Sequence, residues 1–191
     1  MTLPVARRAV TTLAVALSSL LPASRANAQS GYLYELRLEG GEWMPTSGIS
    51  NDLHVASLIG LGGRYMLSYG FAVTASALWA APAAKPAYSV NVTQGDVGLE
   101  WGRRVTSLGP YAGVLLIGGG AGGRSYAPTN PAERHQAVVV AFASVGLGFS
   151  RDHFVWRIEA RDNLSSWGGL LDNESLQGND VELRGGIGWR W

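Results

Sequence analysis

Hydrophobic and polar residues alternate with a period of two along most of this chain. In the stretch Val181 to Trp191, Val181, Leu183, Gly185, Ile187, Trp189 and Trp191 share one parity, and Glu182, Arg184, Gly186, Gly188 and Arg190 share the other. Successive side chains of a strand point to opposite faces, so such a segment carries one uncharged face and one charged, glycine-rich face. Eight segments follow the rule: Gly31–Gly40, His54–Met66, Phe71–Ala80, Val92–Gly102, Tyr111–Gly120, Ala137–Phe149, Phe154–Arg161 and Val181–Trp191. No stretch shows a convincing helical period. The connections Leu67–Gly70, Arg103–Pro110 and Ser150–His153 are shorter, and Gly41–Leu53, Ala81–Asn91, Ala121–Gln136 and Asp162–Asp180 are longer. Short turns at one end and longer loops at the other predict an all-β, eight-stranded antiparallel up-and-down barrel that crosses a membrane.

The aromatic residues support this reading. Tyr32, Tyr34, Tyr65, Phe71, Trp101, Tyr111, Phe149, Phe154, Trp156, Trp189 and Trp191 stand at the short-turn, periplasmic ends of the eight segments, where an interfacial girdle is expected. Trp43, Trp79 and Tyr88 are candidates for a thinner girdle at the other interface.

The two faces differ in charge. Leu36, Leu38, Ile59, Leu61, Val73, Val97, Leu99, Leu115, Ile117, Val145, Leu147, Ile158 and Leu183 mark an uncharged face. Glu35, Arg37, Glu39, Arg64, Asp96, Glu100, Arg157, Glu159, Arg161, Glu182 and Arg184 lie on the other. A soluble barrel would bury the apolar face, whereas a membrane barrel turns it to lipid. Composition favours lipid: Lys85 is the single lysine, and glycines 60, 62, 98, 186 and 188 interleave with the charges, which suits a narrow lumen. The eleven charges are expected to form a structural, mutually neutralising network there. Val114, Leu116, Val138, Val140 and Phe142 break the pattern. Either they form an apolar wall opposite the charges, which is the preferred reading, or a bulge shifts the register.

Residues 1–28 read as a cleaved signal peptide: Arg7 and Arg8, an apolar run from Ala9 to Leu21, then Ala26-Asn27-Ala28 before Gln29. The run is short for a spanning helix. Arg7-Arg8 also suggests twin-arginine export, but nothing after the pair supports it, and an outer-membrane barrel must be exported unfolded. Residues 29–191 form the barrel domain. Loss of Arg7, Arg8 and Arg25 takes the net charge from +1 to −2, which leaves no basic stripe for nucleic acid. Cysteine is absent, so disulfides and thiolate metal sites are excluded.

With Val181-Glu-Leu-Arg-Gly-Gly-Ile-Gly-Trp-Arg-Trp191, Val97-Gly-Leu-Glu-Trp101 and Gly60-Leu-Gly-Gly-Arg-Tyr65, the chain from Gln29 to Trp191 resembles the small eight-stranded outer-membrane barrels of the outer-membrane protein A and X type. The resemblance implies the outer membrane of a Gram-negative-type bacterium, contact with outer-membrane lipid and lipopolysaccharide, and insertion by the barrel assembly machinery. Trp189 and Trp191 would belong to the assembly signal. No peptidoglycan-binding domain is expected, and neither cofactor nor metal is implied. The architecture does not specify an activity.

Candidate chemistry is sparse. Gly118–Gly123 matches a dinucleotide-binding glycine pattern, but Arg124-Ser-Tyr-Ala-Pro128 offers no helix start, and glycines of a crowded strand end explain it better. Asn91, Asn163 and Asn173 begin glycosylation-type triplets that are expected to remain bare in a bacterium. Some barrels of this size modify lipid A with a histidine and a serine at the external rim. His54 precedes Ser57, but the two should face opposite sides of one strand; His135 lies near Glu133, and Asp152-His153 sits in a turn. The leading expectation is a non-enzymatic protein with a plugged lumen and a structural or loop-mediated role, its external loop partner left open. The alternatives are a lipid A-modifying enzyme and a narrow pore or hydrophobic-ligand conduit. Trp167, Leu170, Leu171 and Leu176 of the last long loop are expected to be exposed to a partner or to pack over the barrel mouth.

Overall fold

A computed structural model describes residues 32–46, 49, 53–84, 89–130, 135–167 and 176–191. The expected signal peptide and its cleavage site therefore lie outside the described residues. Eight strands follow one another in the chain: β1 (Tyr34–Pro45), β2 (Ala56–Met66), β3 (Phe71–Ala80), β4 (Val90–Leu108), β5 (Tyr111–Pro128), β6 (Gln136–Arg151), β7 (Phe154–Trp167) and β8 (Leu176–Arg190). Each pairs antiparallel with its neighbour, and β1 pairs with β8, so the sheet closes as an up-and-down barrel. Closure leaves no unpaired edge, which a hydrocarbon environment demands. Followed rung by rung, the register that starts at Glu35 returns to β1 at Pro45, a stagger of ten residues. Eight strands at this tilt leave an interior of side-chain width.

The outward face is apolar. Leu36, Leu38, Ile59, Leu61, Val97, Leu99, Ile158 and Leu183 are exposed there. Aromatic rings gather at the end that carries the short turns: Phe149 stacks on Trp156 at 4.1 Å between centroids, Tyr34 meets Tyr65 at 5.1 Å, and Trp191 stacks on Tyr34 at 6.0 Å. The β2–β3, β4–β5 and β6–β7 turns at this end use positive φ at Tyr69 and Gly70, at Gly109 and at Asp152.

The strands outrun the expected segments at the long-loop end. β5 continues through Gly118–Gly123 to Pro128, so these glycines lie within a strand and not at its end, and most of the expected loop Ala121–Gln136 is ladder. The β7–β8 hairpin extends to the pair Trp167↔Leu176, which shortens the expected loop Asp162–Asp180. Leu170 and Leu171 fall outside the described residues, as do Lys85, Tyr88 and Glu133. At the other end β4 runs on to Leu108, which leaves Gly109-Pro110 as the turn in place of Arg103–Pro110. A bulge lies in β4 between Arg104 and Thr106, whereas β5 and β6 pair without a shift. Val114, Leu116, Val140 and Phe142 consequently keep the inward parity and form an apolar wall.

Trp43 departs from expectation. It is 2% exposed and points into the barrel instead of joining an external girdle, because β1 remains in register with β8 beyond Gly41 and its parity places the indole inside. Trp79, by contrast, is on the outer surface.

Candidate functional site

The interior is built from charge. All eleven predicted charged residues turn inward, and each makes at least one ion pair. The pairs join end to end. Arg64 Nε lies 2.7 Å from Glu100 Oε1, and Glu100 Oε2 receives Arg157 Nη2 at 2.7 Å. Arg157 also pairs with Glu159, whose Oε1 is 3.1 Å from Arg161 Nη2, and Arg161 Nη1 is 2.9 Å from Asp96. On the β1 side, Arg37 bridges Glu35 and Glu39, Glu39 lies 3.8 Å from Arg184, and Arg184 pairs with Glu182. Buried charges are tolerated when they are paired and hydrogen-bonded in this manner.

Two further charges complete the ring. Arg124 donates from Nη2 to Asp180 Oδ1 at 3.1 Å and lies 3.2 Å from Glu182 Oε1. Its Nε donates to Gln94 Oε1 at 2.6 Å, and Gln94 Nε2 donates to Asp96 Oδ2 at 2.9 Å, which links this group to Arg161. Asp180 also accepts from Trp43 Nε1 and Asn163 Nδ2, each at 2.8 Å. Sequence reasoning placed Arg124 and Asp180 in loops. The available signal was parity: Arg124 continues the inward series Gly118, Gly120, Gly122, and Asp180 the series Glu182, Arg184.

Glycine makes room for this packing. A Cβ on Gly120 would lie 2.1 Å from the Val97 carbonyl oxygen and 2.9 Å from the Phe142 ring, and one on Gly98 would lie 2.8 Å from the same ring. Phe142 thus lies over glycine, and the Arg161 guanidinium sits 3.9 Å above its centroid. A cation over an aromatic face is favourable, and here it joins the apolar wall to the charged side. A gap in this mid-lumen layer, between Asp96, Glu100, Phe142 and Arg161, has a volume of about 10 Å³, close to the minimum for a single water.

The two ends are unlike. At the long-loop end Trp43, Leu58, Leu78, Ala80, Val90, Val92 and Tyr126 form an apolar cluster inside the barrel. Ile49 and Leu53 from the β1–β2 connection and Ala84 from the β3–β4 connection pack onto it. Ile49 and Leu53 are 0% and 1% exposed, so this mouth is capped by loop side chains. At the short-turn end a cavity of about 250 Å³ opens between the charged side and the apolar wall.

The catalytic candidates do not converge. His54 and Ser57 are both exposed, and Ser57 stands opposite Glu42 on β1. His135 is exposed just before β6. His153 stacks on Trp189 at 5.0 Å and its Nδ1 lies 2.8 Å from the Arg190 carbonyl oxygen, a turn-anchoring arrangement. Among the described residues no group of three or more acidic or histidine side chains is placed to hold a metal.

No family model matches the chain, and no curated protein matches it in sequence. Solved structures do match in shape. The Neisserial surface protein A, NspA, superposes with a TM-score of 0.63 at 9% identity, over 83% of this chain and 97% of that one. Ail, the attachment invasion locus protein of Yersinia pestis, superposes with a TM-score of 0.50 at 14% identity, over 84% of this chain and 99% of that one. At these identities the likeness is one of fold. With its apolar exterior, aromatic girdle and charged interior, this chain has the eight-stranded β-barrel fold of these small outer-membrane proteins.

Proposed function

We propose that this chain is a non-catalytic integral outer-membrane protein whose lumen is plugged and whose recognition is carried out by its external loops. The observation that carries the reading is the ring of ion pairs and hydrogen bonds from Arg64 through Arg161 and Arg124 back to Glu35, which crosses the lumen beneath a cap of Ile49 and Leu53. A mid-lumen gap of only about 10 Å³ supports the absence of an aqueous path. Opening one would require several buried pairs to separate together, each at the cost of an uncompensated charge. The same cap disfavours entry of a hydrophobic ligand from the loop end.

The exposed, separated His54 and Ser57 disfavour acyl-chain chemistry, since a nucleophile needs its base within hydrogen-bond reach. The short-turn end would face the periplasm, and the apolar exterior would contact outer-membrane lipid and lipopolysaccharide. The aromatic-tipped β8 would be the part read by the barrel assembly machinery. Planar-bilayer recording tests the plug: the purified barrel is expected to give no stable conductance, and reproducible single-channel steps would overturn the reading. Incubation with lipid A tests the enzyme alternative, for which release or transfer of acyl chains, lost in His54→Ala, would be required.

A further inference from the structure

We propose that the short-turn mouth of the barrel is a binding pocket for a small carboxylate amphiphile, a medium-chain fatty acid in chemical class. The cavity of about 250 Å³ is lined by Arg64, Arg104, Arg157 and Arg190 with Glu35 on one side, and by Val114 and Leu116 on the other. It falls just below the range of about 300–1,000 Å³ usual for drug-sized ligands, so its occupant is small.

Charge accounting at this mouth differs from the rest of the lumen. Arg64 and Arg157 share Glu100, and deeper in the barrel Arg37, Arg124, Arg161 and Arg184 each meet a carboxylate. Arg104 and Arg190 do not. Arg104 has no carboxylate partner among the described residues. Arg190 donates from Nε to the Asp152 backbone oxygen at 2.5 Å and lies over the Tyr32 ring at 4.5 Å; Glu35 and Asp152 act on its charge from a distance, but neither forms an ion pair with it. A third donor, the buried Nε of Arg157, has no hydrogen-bond partner.

The backbone presents these groups to the cavity. The β4 bulge between Arg104 and Thr106 lies beside the mouth, and Arg104 pairs across the ladder with Val114, the start of the apolar wall. Arg104 precedes the bulge and keeps the inward parity of Glu100 and Gly102. At Gly102 the charged and apolar sides meet: a Cβ there would lie 3.2 Å from Leu116 Cδ2 and 3.3 Å from Arg64 Nη2. A carboxylate head can take a bidentate contact from a guanidinium while its short chain lies on Val114 and Leu116. Neither a free anion nor an uncharged hydrocarbon satisfies both sides. The pocket is at the opposite end from the external loops, and periplasmic access to it rests on the orientation given above.

The test uses the folded mature barrel in phosphatidylcholine nanodiscs, with octanoate as the probe and the arginine Nε–Hε resonances as the readout. Octanoate is expected to shift Arg104 and Arg190 saturably, with acetate and octanol each at least tenfold weaker. R104Q, read at Arg190, and the cavity-filling V114F are each expected to weaken octanoate at least tenfold, with the resonance of Arg37 in place to show that the interior is intact. Equal binding of acetate, a non-saturating response, or full affinity in both variants would overturn the proposal. The same shifts in phosphatidylglycerol nanodiscs without octanoate would also overturn it, in favour of a lipid headgroup. Conductance plays no part in this readout, so failure here is distinct from failure of the plugged-barrel reading.

Discussion

Arg124 on β5 reaches through the lumen to Asp180 on β8, strands that are not neighbours in the sheet, with both guanidinium Nη atoms directed at the carboxylate. Trp43 from β1 and Asn163 from β7 donate to the same carboxylate, so one acid ties four strands together. Removal of one partner strands the other in a site with no access to water. Asp180→Ala is expected to cost about 3–5 kcal/mol, whereas the paired change Arg124→Leu with Asp180→Leu should cost less than the sum of the two single changes. Denaturant unfolding in lipid vesicles, taken through the full cycle, measures this coupling; additive costs would show that the pair does not act as a unit.

Gly120 and Gly123 of β5 differ in the space around them. A Cβ at Gly120 would meet the Val97 carbonyl oxygen at 2.1 Å, and backbone cannot yield as a flexible side chain can, while a Cβ at Gly123 meets nothing within 4 Å. Gly120→Ala should destabilise the barrel by about 1–3 kcal/mol through overpacking. Gly123→Ala should lie within about 0.5 kcal/mol of the parent. Equal effects in the same unfolding assay would contradict the packing at Gly120.

Leu183 faces outward six residues before Trp189 of the girdle, which places it near the middle of the hydrocarbon. Leu183→Arg should impair folding into bilayers by about 2–4 kcal/mol, because the added charge meets lipid. In a detergent micelle that lets the arginine reach water, the penalty should shrink. Folding into bilayers as efficient as the parent's would mean that this face is not lipid-exposed.

The β1–β8 seam is closed by Trp191. Its carbonyl oxygen accepts from the backbone N–H groups of Leu33 at 2.9 Å and Tyr34 at 3.1 Å, and its own N–H donates to the Tyr34 oxygen at 3.0 Å. Loss of Trp189–Trp191 removes these bonds and two girdle aromatics, and is expected to lower the yield of folded barrel severalfold in vesicle-insertion assays. Replacement of residues 168–175 by a short Asn-Gly turn keeps the described ladder and should leave a folded, non-conducting barrel.

The amino terminus offers a separate check. If Ala26-Asn27-Ala28 is the processing site, mass spectrometry of the membrane-extracted protein should find a chain that begins at Gln29. A mature chain that retains Arg7 and Arg8 would refute the leader.

Parity was enough to read the strands and their faces from the amino-acid order alone. Leu183 and Glu182 are adjacent, and a period of two sends one to lipid and the other to the lumen without reference to anything distant. The same rule found the eleven inward charges and the apolar wall of Val114, Leu116, Val140 and Phe142. Strand length was less legible. Gly, Asn, Ser and Pro around Arg124 and Asp180 read as turn chemistry, yet the β4–β5–β6 and β7–β8 ladders carry the backbone past them, because pairing with a neighbour overrides local preference. Three outcomes depended on the closed sheet. Trp43 sits inside because β1 holds its register against β8; Arg124 meets Asp180 because a stagger of ten residues brings their rungs to one level; and Arg104 shares a mouth with Arg64, Arg157 and Arg190 because closure brings β2, β7 and β8 round to face β4. Partners across a lumen are set by stagger and closure, which are properties of the whole sheet and of no single strand.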